Sequence, residues 1–165
     1  MKKVAIIMGS DSDLNIMQGA MDTLKALEIP YAVRILSAHR TPEAAAAFAR
    51  EARAAGFGAI IAAAGKAAHL AGAMAANTLL PVIGVPIKSS TLDGLDALLS
   101  TVQMPSGMPV ATVAIDGAVN AALLAGQMLA LSDDGVAGRL EAFREEQTRK
   151  VVEKDRRISE EYSAL

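Results

Sequence analysis

The chain has no cysteine and no tryptophan among its 165 residues. Disulfides, zinc–thiolate sites and a thiol nucleophile are thereby excluded. Aromatic residues are scarce: Tyr31, Phe48, Phe57, Phe143 and Tyr162 are the only five. Histidine is scarcer still, with His39 and His69 alone. No excess of either charge stands out. The formal net charge is −2, which provides no footprint for nucleic acid or an anionic membrane surface. No continuous apolar run reaches the roughly 18 residues that a membrane span needs. The apolar stretch Val4–Met8 stops at Gly9 and is followed by Asp11 and Asp13. It is too short for the apolar region of a signal peptide and reads as a buried first strand. A cytoplasmic location is the expectation.

Apolar residues make up 52% of the chain. Length and composition fit a single domain spanning residues 1–165. Almost half of the charged residues fall from Asp133 onward, so residues 1–131 read as an α/β core and 132–165 as a charged C-terminal helix, spanning Asp134 to about Ser159. Ala118–Leu131 is apolar nearly all round, broken only by Asn120 and Gln127. A helix of that kind is buried on most sides. A lone domain of this size buries only about 70% of its unfolded surface. Packing against a second subunit is therefore expected for this helix.

Short apolar runs alternate with helical stretches. Val4–Met8, Tyr31–Ile35, Ala59–Ala63, Val82–Val85 and Val110–Val113 read as strands, several β-branched and most flanked by Gly or Pro. Asp13–Leu27, Pro42–Ala55, Ala67–Asn77 and Leu92–Val102 read as helices. Thr41-Pro42 gives an N-cap threonine before an N1 proline, and Gly56 a closing C-cap glycine. The alternation predicts a parallel sheet covered on both faces. Five strands suit the flavodoxin-like three-layer sandwich with order 2-1-3-4-5.

Ligands in such sheets bind beyond the C-terminal strand ends. Three clusters lie there: Gly9-Ser10-Asp11-Ser12-Asp13, Ser37-Ala38-His39-Arg40-Thr41-Pro42 and Gly65-Lys66-Ala67-Ala68-His69-Leu70. Both histidines of the chain are among them. In the first cluster, glycine permits close approach and free N–H groups at a helix start attract phosphate. Ser10 and Ser12 add hydroxyls, and Asp13 can accept from ribose hydroxyls. Plain N-capping by Ser and Asp is the competing explanation. In the second, Arg40 can grip a phosphate with two parallel N–H bonds, and His39 can move protons near neutrality. Gly65-Lys66 looks like the end of a phosphate-binding Walker loop, but the preceding glycine, Gly58, is too distant and Ala67 stands where Ser or Thr would bind magnesium. ATP is therefore rejected. Strand 3 ends in Ala62-Ala63-Ala64, without the acceptor aspartate of a phosphorylated receiver. Gly9-Ser10 stand where a magnesium-dependent phosphatase has its aspartate.

Taken together, Met8–Asp13, Ser37–Pro42, Ala67–Leu70, Pro81–Pro86 and Val102–Gly107 resemble the motifs of the class I N5-carboxyaminoimidazole ribonucleotide mutase family, the catalytic component of phosphoribosylaminoimidazole carboxylation. The resemblance runs from Val4 to about Leu131. It implies a homo-oligomer, usually an octamer, with a small-molecule ribonucleotide substrate in purine biosynthesis. By resemblance His39 is the catalytic histidine, and His69 is the second expected catalytic residue. Gly9, Ser10, Ser12, Asp13, Ser37, Ala38 and Arg40 bind the nucleotide, and Gly65, Lys66, Ala67 and Leu70 belong to the loop over the imidazole and carboxyl group. The sequence departs from the family pattern twice. Ala71 stands where proline usually follows His-Leu, and Lys66 replaces a common glycine.

The implied chemistry is loss of CO₂ from a carbamate on N5, then attack of C4 on the trapped CO₂. A histidine can shuttle both protons. No metal, cofactor, biotin or nucleotide hydrolysis is called for. Two alternatives differ in residues that can be read. A flavodoxin-like electron carrier needs aromatics against its ring, and none of the five lies in the three loops. The class II enzyme, which carboxylates aminoimidazole ribonucleotide directly, carries Ser-Ala-His-Lys and a different third loop; Arg40 and His69 favour class I.

Overall fold

A computed structural model describes residues 1–163. The chain forms β1 (Lys3–Met8), a 3₁₀ turn at Asp11–Asp13, α1 (Leu14–Ala26), β2 (Tyr31–Ile35), α2 (Pro42–Glu51), β3 (Phe57–Gly65), α3 (Leu70–Ala75) and β4 (Val82–Ile87). A second 3₁₀ turn at Leu92–Gly94 leads to α4 (Leu95–Val102), β5 (Ala111–Thr112), α5 (Ala118–Ala130) and α6 (Asp134–Tyr162). The sheet order is β2-β1-β3-β4-β5, and every pairing is parallel. Among the described residues no helix is long and apolar enough to cross a membrane.

The period-two alternation of the strands divides the core between two faces. Val4, Ile6 and Met8 of β1 join Ala59, Ile61 and Ala63 of β3 under α1 and α5. Ala5 and Ile7 join Ile60 and Ala62 on the other face, against Ala45 and Ala49 of α2 and Met74 of α3. Both faces of the central strands are covered, which explains why their sequences are continuous apolar runs.

Several boundaries differ from the expected ones, each for a local reason. The third helix begins at Leu70, because Ala67–His69 forms a turn closed by the His69 N–H on the Ala67 carbonyl at 2.9 Å. The fourth begins at Leu95: Leu92 and Asp93 have φ of 51° and 53°, incompatible with a continuous right-handed helix. The fifth strand is only two residues long. Thr41 does occupy the N-cap of α2, but its hydroxyl accepts from the Ser37 N–H at 2.9 Å and donates to the Ser37 carbonyl, leaving the helix uncapped by it. Helix α2 ends at Glu51, so Gly56, with φ 87°, closes the turn after it. The last helix runs to Tyr162, three residues past the expected end.

Helix α5 finds much of its cover within its own chain. Ala118, Ala121, Ala122, Ala125 and Leu129 are buried in the core it shares with α1 and the sheet. Val119, Asn120 and Gln127 remain exposed.

Gly84 sets how closely α4 approaches β4. A Cβ at this position would lie 2.4 Å from Thr101 Cγ2. Thr101 is 2% exposed and donates its hydroxyl to the Ala97 carbonyl at 2.8 Å, so it cannot swing aside freely. Gly84→Ala is expected to destabilise the fold by about 1–3 kcal/mol, the usual range for overpacking a close contact. Chemical denaturation measures it, and an unchanged midpoint would show that α4 has room to retreat.

Candidate active site

The C-terminal ends of β1, β2, β3 and β4 surround a cavity of about 620 Å³. All three sequence clusters line it. Gly9, Ser10, Ser12 and Asp13 come from the β1 end, Ser37, Ala38, His39 and Arg40 from the β2 end, and Gly65, Lys66, Ala67 and Leu70 from the β3 end. His69 reaches the site through His39. Four further residues line it: Ala64, Ile87, Lys88 and Ser89. The last three follow from the rule applied to the other strands, but β4 continues two residues past the expected end at Val85, which hides its loop. Of the five resembling motifs, Pro81–Pro86 and Val102–Gly107 do not line this cavity.

The β2 loop is built as a self-closed turn. Ser37 Oγ accepts the N–H groups of His39 at 3.3 Å and Arg40 at 3.1 Å, and the Thr41 N–H returns to the Ser37 carbonyl at 2.9 Å. One serine thus fixes the backbone that carries His39 and Arg40. Arg40 Nη2 donates to the Gly9 carbonyl at 3.0 Å and ties this loop to the β1 loop. The Gly9 N–H in turn donates to Ala63 on β3 at 3.0 Å.

His39 and His69 meet directly. His39 Nε2 and His69 Nδ1 are 2.9 Å apart, with the rings edge to face at 74°. At that distance one nitrogen holds the proton and the other receives it, the direction depending on the tautomers. Both residues are exposed, and His39 lines the cavity.

Among the described residues Asp13 is the only acid that lines the cavity. Burial pushes its carboxyl above the ordinary aspartate range, with a small further rise from Asp11. The Ser12 hydroxyl, donating at 3.2 Å, and the backbone N–H groups of Ser10 and Gly9 pull it partly back. Ser10 Oγ accepts from the Ser12 N–H at 3.3 Å and caps the 3₁₀ turn. The structural role of this serine is therefore real, and it coexists with a place in the cavity wall.

Comparison with known proteins agrees with this geometry. The AIR carboxylase family model matches residues 3–150. The N5-carboxyaminoimidazole ribonucleotide mutase of Brucella melitensis is 58% identical over 153 residues, covering 92% of this chain and 94% of that protein. The mutase of Pyrococcus horikoshii is 55% identical over 157 residues, covering 95% and 89%. Among solved structures, Treponema denticola PurE superposes with a TM-score of 0.86 at 33% identity, covering 94% of this chain and 97% of that one. On the match of nearly the whole chain, this protein belongs to the AIR carboxylase family.

Proposed function

We propose that this chain converts N5-carboxyaminoimidazole ribonucleotide to 4-carboxy-5-aminoimidazole ribonucleotide in purine biosynthesis, as a cytoplasmic mutase. The observation that carries the reading is the 2.9 Å contact of His39 with His69 on the rim of a cavity that also holds Arg40 and Asp13. Arg40, with Ser10, Ser12 and Ser37, offers the donors a phosphate needs. Asp13 accepts from the ribose hydroxyls, and the Gly65–Leu70 loop covers the imidazole and its carboxyl group.

The reaction balances on one proton. His39 delivers it to N5 as the N–CO₂ bond breaks, giving CO₂ and the electron-rich aminoimidazole. C4 then attacks CO₂, a C–C bond forms, and the proton on C4 returns to His39. Substrate and product differ only in where the carboxyl sits, so the sum needs no cofactor, redox partner or nucleotide hydrolysis. His69, bonded to His39, fixes the orientation of that ring and shares its proton. Recapture depends on holding CO₂ at high effective concentration. Ala64, Gly65, Ala67 and Leu70 supply a small apolar wall for this.

The assembly is a closed homo-oligomer, an octamer. The accessible surface is 9342 Å², against about 7,700 Å² for a compact monomer of this length. Leu95, Leu99 and Val102, spaced along one side of α4, are about half exposed, and Leu79 and Leu131 are almost fully so. From Val151 onward the described part of α6 is exposed on all sides.

Three outcomes follow. Supplying unlabelled carbamate substrate in labelled bicarbonate should yield mostly unlabelled product at early times, measured by mass spectrometry. Label at the solvent level from the first turnover would mean direct carboxylation instead. His39→Asn should still fold and bind nucleotide while turnover falls by roughly a hundredfold or more, the range for a lost general acid–base; a near-wild-type rate would remove His39 from the chemistry. Light scattering at micromolar concentration should give the mass of an octamer, and a clean monomer would refute the assembly.

A further inference from the structure

Lys66 has a backbone that its side chain does not favour. Its φ is 56°, in the left-handed region where a Cβ costs energy and glycine does not. The strained peptide is fastened in place. Ser100 on α4 accepts the Ala68 N–H at 3.1 Å, and its hydroxyl lies 3.3 Å from the Lys66 carbonyl. The buried Thr101 hydroxyl lies 3.3 Å from the Ala68 carbonyl. The Ala68 N–H bond to Ser100 is the one that holds the turn, since the Ser100 and Thr101 protons go to the Asp96 carbonyl at 2.6 Å and the Ala97 carbonyl at 2.8 Å. Strain that the surroundings over-determine is characteristic of functional sites.

What this arrangement delivers is an exposed ammonium on the cavity wall. Three cations line the cavity, and two are already engaged. Arg40 donates to the Gly9 carbonyl at 3.0 Å, and Lys88 Nζ is 3.1 Å from an Asp93 carboxylate oxygen. Among the described residues the Lys66 ammonium has no ion-pair partner. The substrate proposed above carries two anionic ends, a phosphate and a carboxyl group. Arg40 gives one N–H to Gly9 and keeps donors of its guanidinium for the phosphate. Lys66 lies three residues before His69 on the same turn, on the side of the cavity where protons are exchanged.

We propose that Lys66 binds the carboxyl group of the carboxylated nucleotides and sets the preference of the site for them over the decarboxylated aminoimidazole nucleotide. This rests on the mutase reading. The contact is a charge-assisted hydrogen bond from the ammonium to a carboxyl oxygen. It is lost when the carboxyl leaves as neutral CO₂ and regained when C4 captures it, so it favours the carboxylated ends of the reaction.

The test is calorimetric binding of the C4-carboxylated product and of decarboxylated aminoimidazole ribonucleotide to wild type, Lys66→Gly and Lys66→Met. Both variants should bind the carboxylated product about tenfold more weakly, the scale of one charge-assisted bond in a solvent-open site. Their affinity for the decarboxylated nucleotide should be unchanged. Lys66→Gly should melt at or above the wild-type temperature, since it relieves the left-handed strain. Lys66→Met keeps the side-chain length and the Cβ, and carries the test alone if the glycine variant does not fold. An equal or larger loss for the decarboxylated nucleotide would assign Lys66 to the phosphate and overturn the proposal. So would unchanged affinity for the product. Those results with a wild type that turns over its substrate leave the mutase reading standing; a wild type that binds neither nucleotide and converts nothing overturns that reading itself.

Discussion

A parallel sheet covered by helices on both faces meets water only along its ends and edges. That constraint organises this molecule. Ile6, Ile7, Ile60 and Ile61 are fully buried and leave no room for polar chemistry inside the layers. Polar side chains gather where the strands end, and in a parallel sheet the C-terminal ends all point one way. Backbone bonds across those ends then lock the loops together. Gly9 donates to Ala63 and accepts from Arg40, so the first, second and third loops share one small network. The His39–His69 contact is a product of that alignment, not of sequence proximity, since thirty positions separate the two rings.

Much of this was legible in the sequence because its causes are local. The five strands stand at the expected places, and β2 has the expected limits of Tyr31 and Ile35. Its neighbour β3 runs two residues further at each end than the apolar run suggests. Ala64 and Gly65 have little strand propensity of their own, and pair with Pro86 and Ile87 because β4 is already there. The expected site residues converge for the same reason: each sits at or beyond the C-terminal end of a strand. What escaped notice depends on distant partners. Nothing near Lys88 in the sequence indicates that its N–H is held by the Asp116 carboxylate at 2.8 Å. Nothing near Ser100 or Thr101 marks them as more than helix residues. Their role appears only when Gly84 lets α4 settle against β4 beside the third loop.

The same division explains the boundary errors at the helices. Leu92, Asp93 and Lys66 adopt a backbone that residue type alone argues against. Tertiary contacts set these turns, so propensity misplaces the first turn of α3 and of α4. The charged C-terminal helix was easier, because its composition changes abruptly. It holds its surface with spaced ion pairs, Arg149 to Glu146 and Arg156 to Glu153 and Glu160. Exposed pairs of this kind add little to stability, and the outer half of that helix contributes correspondingly little to the core.

Asp13 brings the fold and the site into opposition. Its carboxyl is held above the ordinary range chiefly because burial strips water from it. A carboxyl with a raised folded-state value favours folding most when protonated, below the unfolded aspartate range. That advantage is lost as the pH climbs through the raised value. Above that value the ionised group works against the folded chain, and it does so on the wall of the cavity. The cavity wall thus carries a stability cost that grows with pH and is set by the solvation of a single side chain.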